Sequence, residues 1–357
     1  MRKPLVITGV DIGSSKICAV SGEIGGAGQV EILGINTVPS RGVARGNIVD
    51  LDLCVDSVAK ALDGLAARTS RKIENIYVNI SGHTIKAERA SGMVSLSMRG
   101  REITQGDMRR CVNVASTMHL PFESEIIHKV VHSYAIDDQG QIKNPLGLYG
   151  SRLSAKIYVV TASVNHIENI RKVINNCGYE LKDVVFTGMA DWSSLFDRHD
   201  PERHMVLIDV GSSLTEAAIF LDGILTHINI SAFGVSDIAG PIGTDEGMNG
   251  VISRLKEELK GFQESGITFK SAVVVGGGSL IDGMLEMIES RLGVEIVQGV
   301  VKSITGKASP IDGVIATTAI GLVRFAAKNH EDRMRTPPKG LINNISTRVI
   351  DIFNNYF

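Results

Sequence analysis

LVITGVDIGSSKICAVSGEI (residues 5–24) and MVLIDVGSSLTEAAIFLDG (residues 205–223) share one plan in separate halves of the chain. Each has an apolar strand, then Asp-x-Gly-Ser-Ser, then a second apolar strand. Short β-rich runs on either side of a Gly/Ser turn make a β-hairpin. Gly13 and Gly211 let the backbone come close to a bulky anion, and the groups that follow can bond phosphate oxygens. Those groups are Ser14, Ser15 and Lys16 in the first copy, Ser212 and Ser213 in the second. Asp11 and Asp209 end the first strand of each hairpin. A carboxylate beside a phosphate is repulsive unless a cation intervenes, so the pair points to Mg²⁺ held largely through water. Alone, either Asp-x-Gly is an ordinary hairpin turn. Two copies, each after a buried strand, point instead to two lobes gripping one polyphosphate.

A third glycine-rich element agrees with this. AVVVGGGSLIDGMLEMIESRLG (residues 272–293) reads as a buried strand, a turn at Gly276, Gly277 and Gly278, and an amphipathic helix. That order suits close approach of a nucleotide's sugar or phosphate, although a lone triple glycine is also just a tight strand-to-helix turn.

Composition narrows the class. A chain of 357 residues with 43% apolar and 21% charged residues is long enough for about two domain-sized units with a sizeable core. A formal net charge of -2 supplies no basic field for nucleic acid. Cys18, Cys54, Cys111 and Cys177 form no paired motif and read as small reduced core residues. His128 and His132 lie four apart, but EIIHKVVHSYAI is β-branched and reads as a strand, where that spacing builds no helical ligand pair. The opening MRKPLVITGVDIG is broken early by Asp11 and lacks a small-residue cleavage site. No run approaches the roughly 18 apolar residues that span a bilayer, so a cytosolic protein is expected unless something attaches it.

With these residues in hand, the chain resembles the actin-like superfamily and, within it, the bacterial division family FtsA. GVDIGSSKICAV is similar to that family's first phosphate loop, LIDVGSSLTEAAIF to its second, VVVGGGSLIDGM to its adenosine loop and SPIDGVIATTAIGL to the small-residue helix that closes the hinge. IYVNISGHTIKAERASGMV, REITQGDMRRCVNVA and NPLGLYGSRLSAKIYVVTAS resemble the family's inserted subdomain, related to a module in the pilus protein PilM. In its own right this stretch begins and ends with alternating strands around a helix from about Gln105 to Met118, with Thr104 as N-cap.

The resemblance implies an α/β, actin-like (ribonuclease H-like) two-lobe fold with an inserted α+β subdomain. The first lobe spans residues 1–80, with 165–203 and 320–328; the insertion spans 81–164 and the second lobe 204–319. A linker (329–340) and a helix (341–357) follow. It implies ATP and Mg²⁺ as ligands, self-assembly into filaments through the insertion, and the tail of FtsZ or another division protein as partner. Its place is the cytoplasmic side of the inner membrane at the division site.

Two departures bear on mechanism. In VVFTGMADWSSLF, Thr187 stands where actin-fold ATPases carry an acidic or amide group that orients the attacking water; Asp191, one turn on, is the substitute candidate for a catalytic role. Without a well-placed group, fast hydrolysis is not expected, so the chain is at most a weak ATPase. The second loop also carries Leu214 and Glu216 where the family commonly has threonine and aspartate. After SAFGVSDI, only AGPIGTDEGMNG precedes SRLKEELKGFQESG, where the family has a whole subdomain holding the nucleoside and docking the FtsZ tail. A remnant helix from Val251 to Glu264 offers Arg254, Lys256 and Lys260 as contacts for an acidic peptide, or simply a solvated face.

The tail GLINNISTRVIDIFNNYF places Leu341, Ile342, Ile345, Val349, Ile352, Phe353 and Tyr356 on one stripe, with Phe357 after them. At 1.5 Å per residue it is about 25 Å long and half polar, so as a helix it cannot span. It either docks on the protein's own body or lies in a membrane interface, and the charged, proline-containing KNHEDRMRTPPK before it and the family resemblance favour the interface. A membrane tether is the leading expectation. A PilM-like pilus platform, or a non-hydrolysing scaffold with a different partner, is the alternative. A sugar kinase would need a catalytic carboxylate and a sugar pocket that the sequence does not display.

Overall fold

The computed structural model describes residues 5–25, 29–117, 121–196, 204–241, 246–301, 305–306, 312–335 and 350–352. Two sheets carry the two expected hairpins. In the first, the strand order is Leu181–Phe186, Ile76–Ile80, Leu5–Ile12, Lys16–Ile24, Val30–Pro39 and Thr305–Gly306. Leu5–Ile12 pairs antiparallel with Lys16–Ile24, Asp11 opposite Cys18, and parallel with Ile76–Ile80. The second sheet repeats the plan in the order Ile224–Ser231, Thr215–Leu221, His204–Val210, Ser271–Val275 and Glu295–Gln298. There Asp209 faces Glu216 across the hairpin, and Ser271–Val275 lies parallel beside it. The fold is of the actin-like class that the family resemblance implied. Nearly every residue of both hairpins is buried, which accounts for apolar runs instead of strict alternation.

Helices cover both sheets. Leu51–Thr69, capped by the Asp50 carboxylate accepting the Leu53 N–H, packs on the first sheet beside Val164–Asn176. Thr187–Leu195 and Thr317–Arg335 cross where the lobes join. Small residues permit these contacts: a Cβ on Gly321 would sit 1.9 Å from the Ala190 carbonyl oxygen across the crossing, and one on Gly9, in the first strand beneath, 2.3 Å from that of Ala319. On the second lobe, Glu246–Glu264 buries Met248, Val251, Ile252, Leu255 and Leu259, one stripe at helical spacing. Each such side chain removed from water contributes about 1.5–3 kcal/mol. Only residues 232–245 separate this helix from Ile224–Ser231.

The insertion forms its own sheet, ordered Gln139–Ile142, Ser124–Ile136, Arg152–Ser163 and Lys86–Ser95, with His128 and His132 on a strand. The helix Gln105–Ala115 packs against it through Met108, Cys111 and Val112. Thr104 caps it in a full capping box with Asp107.

The carboxyl-terminal expectations change in two places. The helix expected to end near Lys328 continues to Arg335, because KNHEDRMR contains no breaker before Pro337; residues 329–335 are therefore helix and not linker. Ile350–Ile352, expected as helix, form a strand parallel to Ser124–Ile136, Ile350 opposite His128 and Ile352 opposite Val130. The β-branched VIDI run suits a strand, and the sheet edge supplies unpaired backbone groups that a lone helix would not satisfy. Leu341, Ile342, Ile345, Val349, Phe353, Tyr356 and Phe357 lie outside the described residues.

Candidate nucleotide cleft

The two hairpin turns meet. Gly13 N–H donates to the Lys16 carbonyl at 3.0 Å and Gly211 N–H to the Leu214 carbonyl at 2.9 Å, so the turns close in the same way. Across the gap, the Ser213 hydroxyl donates to Ser14 Oγ at 2.8 Å. Between the lobes lies a cavity of about 440 Å³. Asp11, Gly13, Ser14, Ser15, Lys16, Asp209, Gly211, Ser212, Ser213, Gly276, Gly277 and Gly278 all line it. Gly276 is there for a steric reason: its φ is 82°, and a Cβ would sit 2.0 Å from the Asp209 carboxylate.

The carboxylates are crowded. Asp11 accepts from the Asn79 amide at 2.9 Å, while the Asn79 side-chain oxygen accepts the Ile12 N–H at 2.7 Å. Burial raises the Asp11 pKa, opposed by Lys16 and by that amide. Burial, then the Asp11 charge, pushes Asp209 up to about 6. Burial, then Asp209, pushes Glu216 up to about 8. Lys16 donates to the Ile315 carbonyl at the foot of the closing helix.

Glu216 is the residue that sequence reasoning noted only as a departure. It lines the cavity beside Ser81 and Thr187, and its Oε1 is buried without a partner. A glutamate inside the apolar run TEAAIF was the available signal, since an ionised side chain is almost never buried unpaired without a purpose. Asn79 and Thr318 also line the cavity and carried no signal of their own.

Asp191 does not line the cavity. It is fully buried behind it, accepting from the Thr318 hydroxyl at 2.7 Å, and burial with the Asp209 charge lifts its pKa well above normal. Its place one turn inside the Thr187–Leu195 helix sets it against Thr318 of the neighbouring helix. Arg254, Lys256 and Lys260 are each engaged on their own lobe, with Ser231 Oγ at 3.1 Å, the Arg291 carbonyl at 2.7 Å and Glu257 at 2.6 Å.

The donor set fits a divalent cation. Three carboxylates face the cavity against one lysine, all three held in a more basic state than normal, and one oxygen lacks any partner. Among the described residues no three acidic, histidine or cysteine groups converge into a direct metal cage.

Comparison with known proteins places the chain. Residues 82–161 match the family described as "SHS2 domain inserted in FTSA". The cell division protein FtsA of Pseudomonas aeruginosa is 32% identical over 278 residues, 77% of this chain. The chain belongs to the FtsA family. It covers 64% of the length of that Pseudomonas relative. The FtsA protein of Neisseria meningitidis is 23% identical over 94% of this chain and 93% of its own length. Among solved structures, the PilM-PilN type IV pilus biogenesis complex matches with a TM-score of 0.66 at 12% identity, over 90% of this chain and 98% of that one, a likeness of fold. The matched residues lie in the chain between Ile76–Ile80 and Leu181–Phe186, which are parallel neighbours in the first sheet.

Proposed function

We propose that this FtsA-family chain binds Mg²⁺–ATP between its two phosphate turns, self-assembles, and tethers a division filament of the FtsZ kind to the cytoplasmic membrane surface at the division site. The observation that carries the reading is the meeting of the duplicated Asp-x-Gly-Ser-Ser turns over one cavity, Ser14 against Ser213. In this reading Ser14, Ser15, Ser212 and Ser213 hold phosphate oxygens, Lys16 supplies positive charge, and Gly276, Gly277 and Gly278 admit the nucleoside. Asp11 and Asp209 hold Mg²⁺ largely through water. The cation supplies charge neutralisation between carboxylates and phosphates. Thr187 is a poor orienter of water and Asp191 is turned away, which favours nucleotide as an assembly signal over rapid turnover.

Attachment to lipid rests with residues 341–357, whose apolar stripe would lie in the interface; the Ile350–Ile352 strand would have to leave the inserted sheet first. Among the described residues no helix is long and apolar enough to cross a membrane. The shortened second lobe, with its basic residues already engaged, favours a scaffold whose partner differs from the FtsZ tail as the second reading. Co-sedimentation with anionic vesicles tests the tether: deletion of residues 341–357 should abolish pelleting, and unchanged pelleting would exclude it. Adding an FtsZ tail peptide to the lipid-bound protein separates the two partner readings.

A further inference from the structure

The short ribbon Val43–Ala44 and Asn47–Ile48 turns at Arg45 and Gly46, both left-handed at φ 47° and 72°. That turn touches three separate parts of the molecule. The Arg45 N–H donates to Ser213 Oγ at 3.1 Å, reaching from the first lobe to the second phosphate turn. The Arg45 guanidinium lies 3.6 Å from the Asp237 carboxylate. Asp237 is itself fixed by accepting the Gly234 N–H at 3.0 Å, and its segment is tied to the same phosphate turn by Val235 N–H to the Gly211 carbonyl at 3.0 Å.

Gly46 faces the other way. A Cβ there would fall 2.9 Å from Leu214 and 3.1 Å from the Ser81 carbonyl oxygen, and burial lowers the pKa of the His166 ring, with the Gly46 backbone lying near enough to raise it in opposition. Ser81 is where the chain leaves Ile76–Ile80 for the inserted subdomain, and His166 lies in the first turn of Val164–Asn176, where it returns. One tight turn thus contacts the second phosphate loop, the support behind that loop, and both crossings of the insertion's neck.

We propose that Arg45 and Gly46 form a closure strap that slows release of a Mg²⁺–nucleoside triphosphate and fixes the neck of the inserted subdomain when the cleft is occupied. The proposal rests on the nucleotide reading above. Ser213 now shares its hydroxyl between Ser14 and the Arg45 N–H. A triphosphate entering between the turns replaces the Ser14 contact, and the strap keeps Ser213 aimed at the phosphate. The turn must therefore lift before ligand leaves, and it cannot lift without disturbing Ser81 and His166. Arg45 is a positioning residue here; its side chain is more than half exposed on the rim, so its ion pair alone is modest.

The test is the dissociation rate of a fluorescent ATP analogue, by stopped flow with Mg²⁺, on the full chain. Arg45→Asp and Asp237→Arg should each raise the rate about fivefold through like-charge repulsion across the strap, while the double reversal returns it to within about twofold of wild type. Arg45→Lys should stay near wild type. Hydrogen exchange supplies the second readout: nucleotide should protect residues 81–85 and 164–168 in wild type and not in Arg45→Asp. Rates unmoved by the single reversals, or a double reversal no better than either, would overturn the strap. Neck exchange indifferent to nucleotide in wild type would overturn the link to the insertion. If wild type binds no nucleotide at all, the phosphate-site reading falls and takes the strap with it, a result distinct from intact binding with unmoved rates.

Discussion

In the first phosphate turn Asp11 is flanked by Lys16 and held by the Asn79 amide; in the second, Asp209 has Glu216 directly across the hairpin and Asp11 beyond the gap. The backbones close alike, at 3.0 and 2.9 Å, yet the side chains set opposite electrostatics. At the position after the two serines the first copy has Lys16 and the second Leu214. The duplication therefore yields one turn that carries a cation of its own and one that must borrow it. On the proposed reading, the first turn grips anion and the second calls for a metal.

The sharpest way to break that comparison is to remove each aspartate. Asp209→Ala should cost about a hundredfold in Mg²⁺-dependent ATP affinity, since a charged group in a partly desolvated site is worth about 3 kcal/mol. In excess EDTA the same variant should bind ATP more tightly than wild type, because one repelling carboxylate is gone. Asp11→Ala should lose as much with Mg²⁺, and should also strand Asn79, which Asp209→Ala does not. Titration by calorimetry with and without metal separates them. Equal behaviour in both buffers would show that the turns are interchangeable.

Lys16→Ala comes next, at about tenfold weaker binding, near the size of one charge-assisted phosphate contact. Its loss should appear with and without Mg²⁺ alike, whereas the Asp209→Ala loss should vanish without metal. A Lys16→Ala effect confined to Mg²⁺ buffers would mean the lysine serves the cation indirectly.

The turns were legible because everything that shapes them is local: an apolar strand, a glycine, two hydroxyls. The helix Gln105–Ala115 was legible for the same reason, with Thr104 and Asp107 three residues apart. Asn79, Thr318 and Arg45 were not, because they reach the cleft from strands, helices and ribbons far along the chain, and only the closed sheet brings them there. Asp191 shows the converse: its spacing from Thr187 suggested the site, and the helix sets it against Thr318, behind the cavity. The tail shows a similar limit. Its stripe fits a helix in isolation, while Ile350–Ile352 answer to an edge strand that periodicity within the tail does not reveal.

The remaining expected effect is the one most specific to the second turn. Glu216 is almost wholly buried, and burial with the Asp209 charge pushes it up to about 8, against 4.5 for the ordinary side chain. Its folded pKa lies above the unfolded one, so its protonation stabilises the metal-free fold fully below pH 4.5, and that contribution is lost as pH rises through about 8. The metal-free protein should therefore lose roughly 1–3 kcal/mol between pH 5 and pH 8 on this account, and Glu216→Gln, which stays neutral, should flatten that slope. Mg²⁺–ATP binding should move the other way: a cation must displace the proton, so affinity climbs with pH in wild type and less so in Glu216→Gln. Thermal melts and calorimetry across that range read both slopes. Parallel slopes in the two proteins would place the titration on Asp209, and the two turns would then differ only by Lys16.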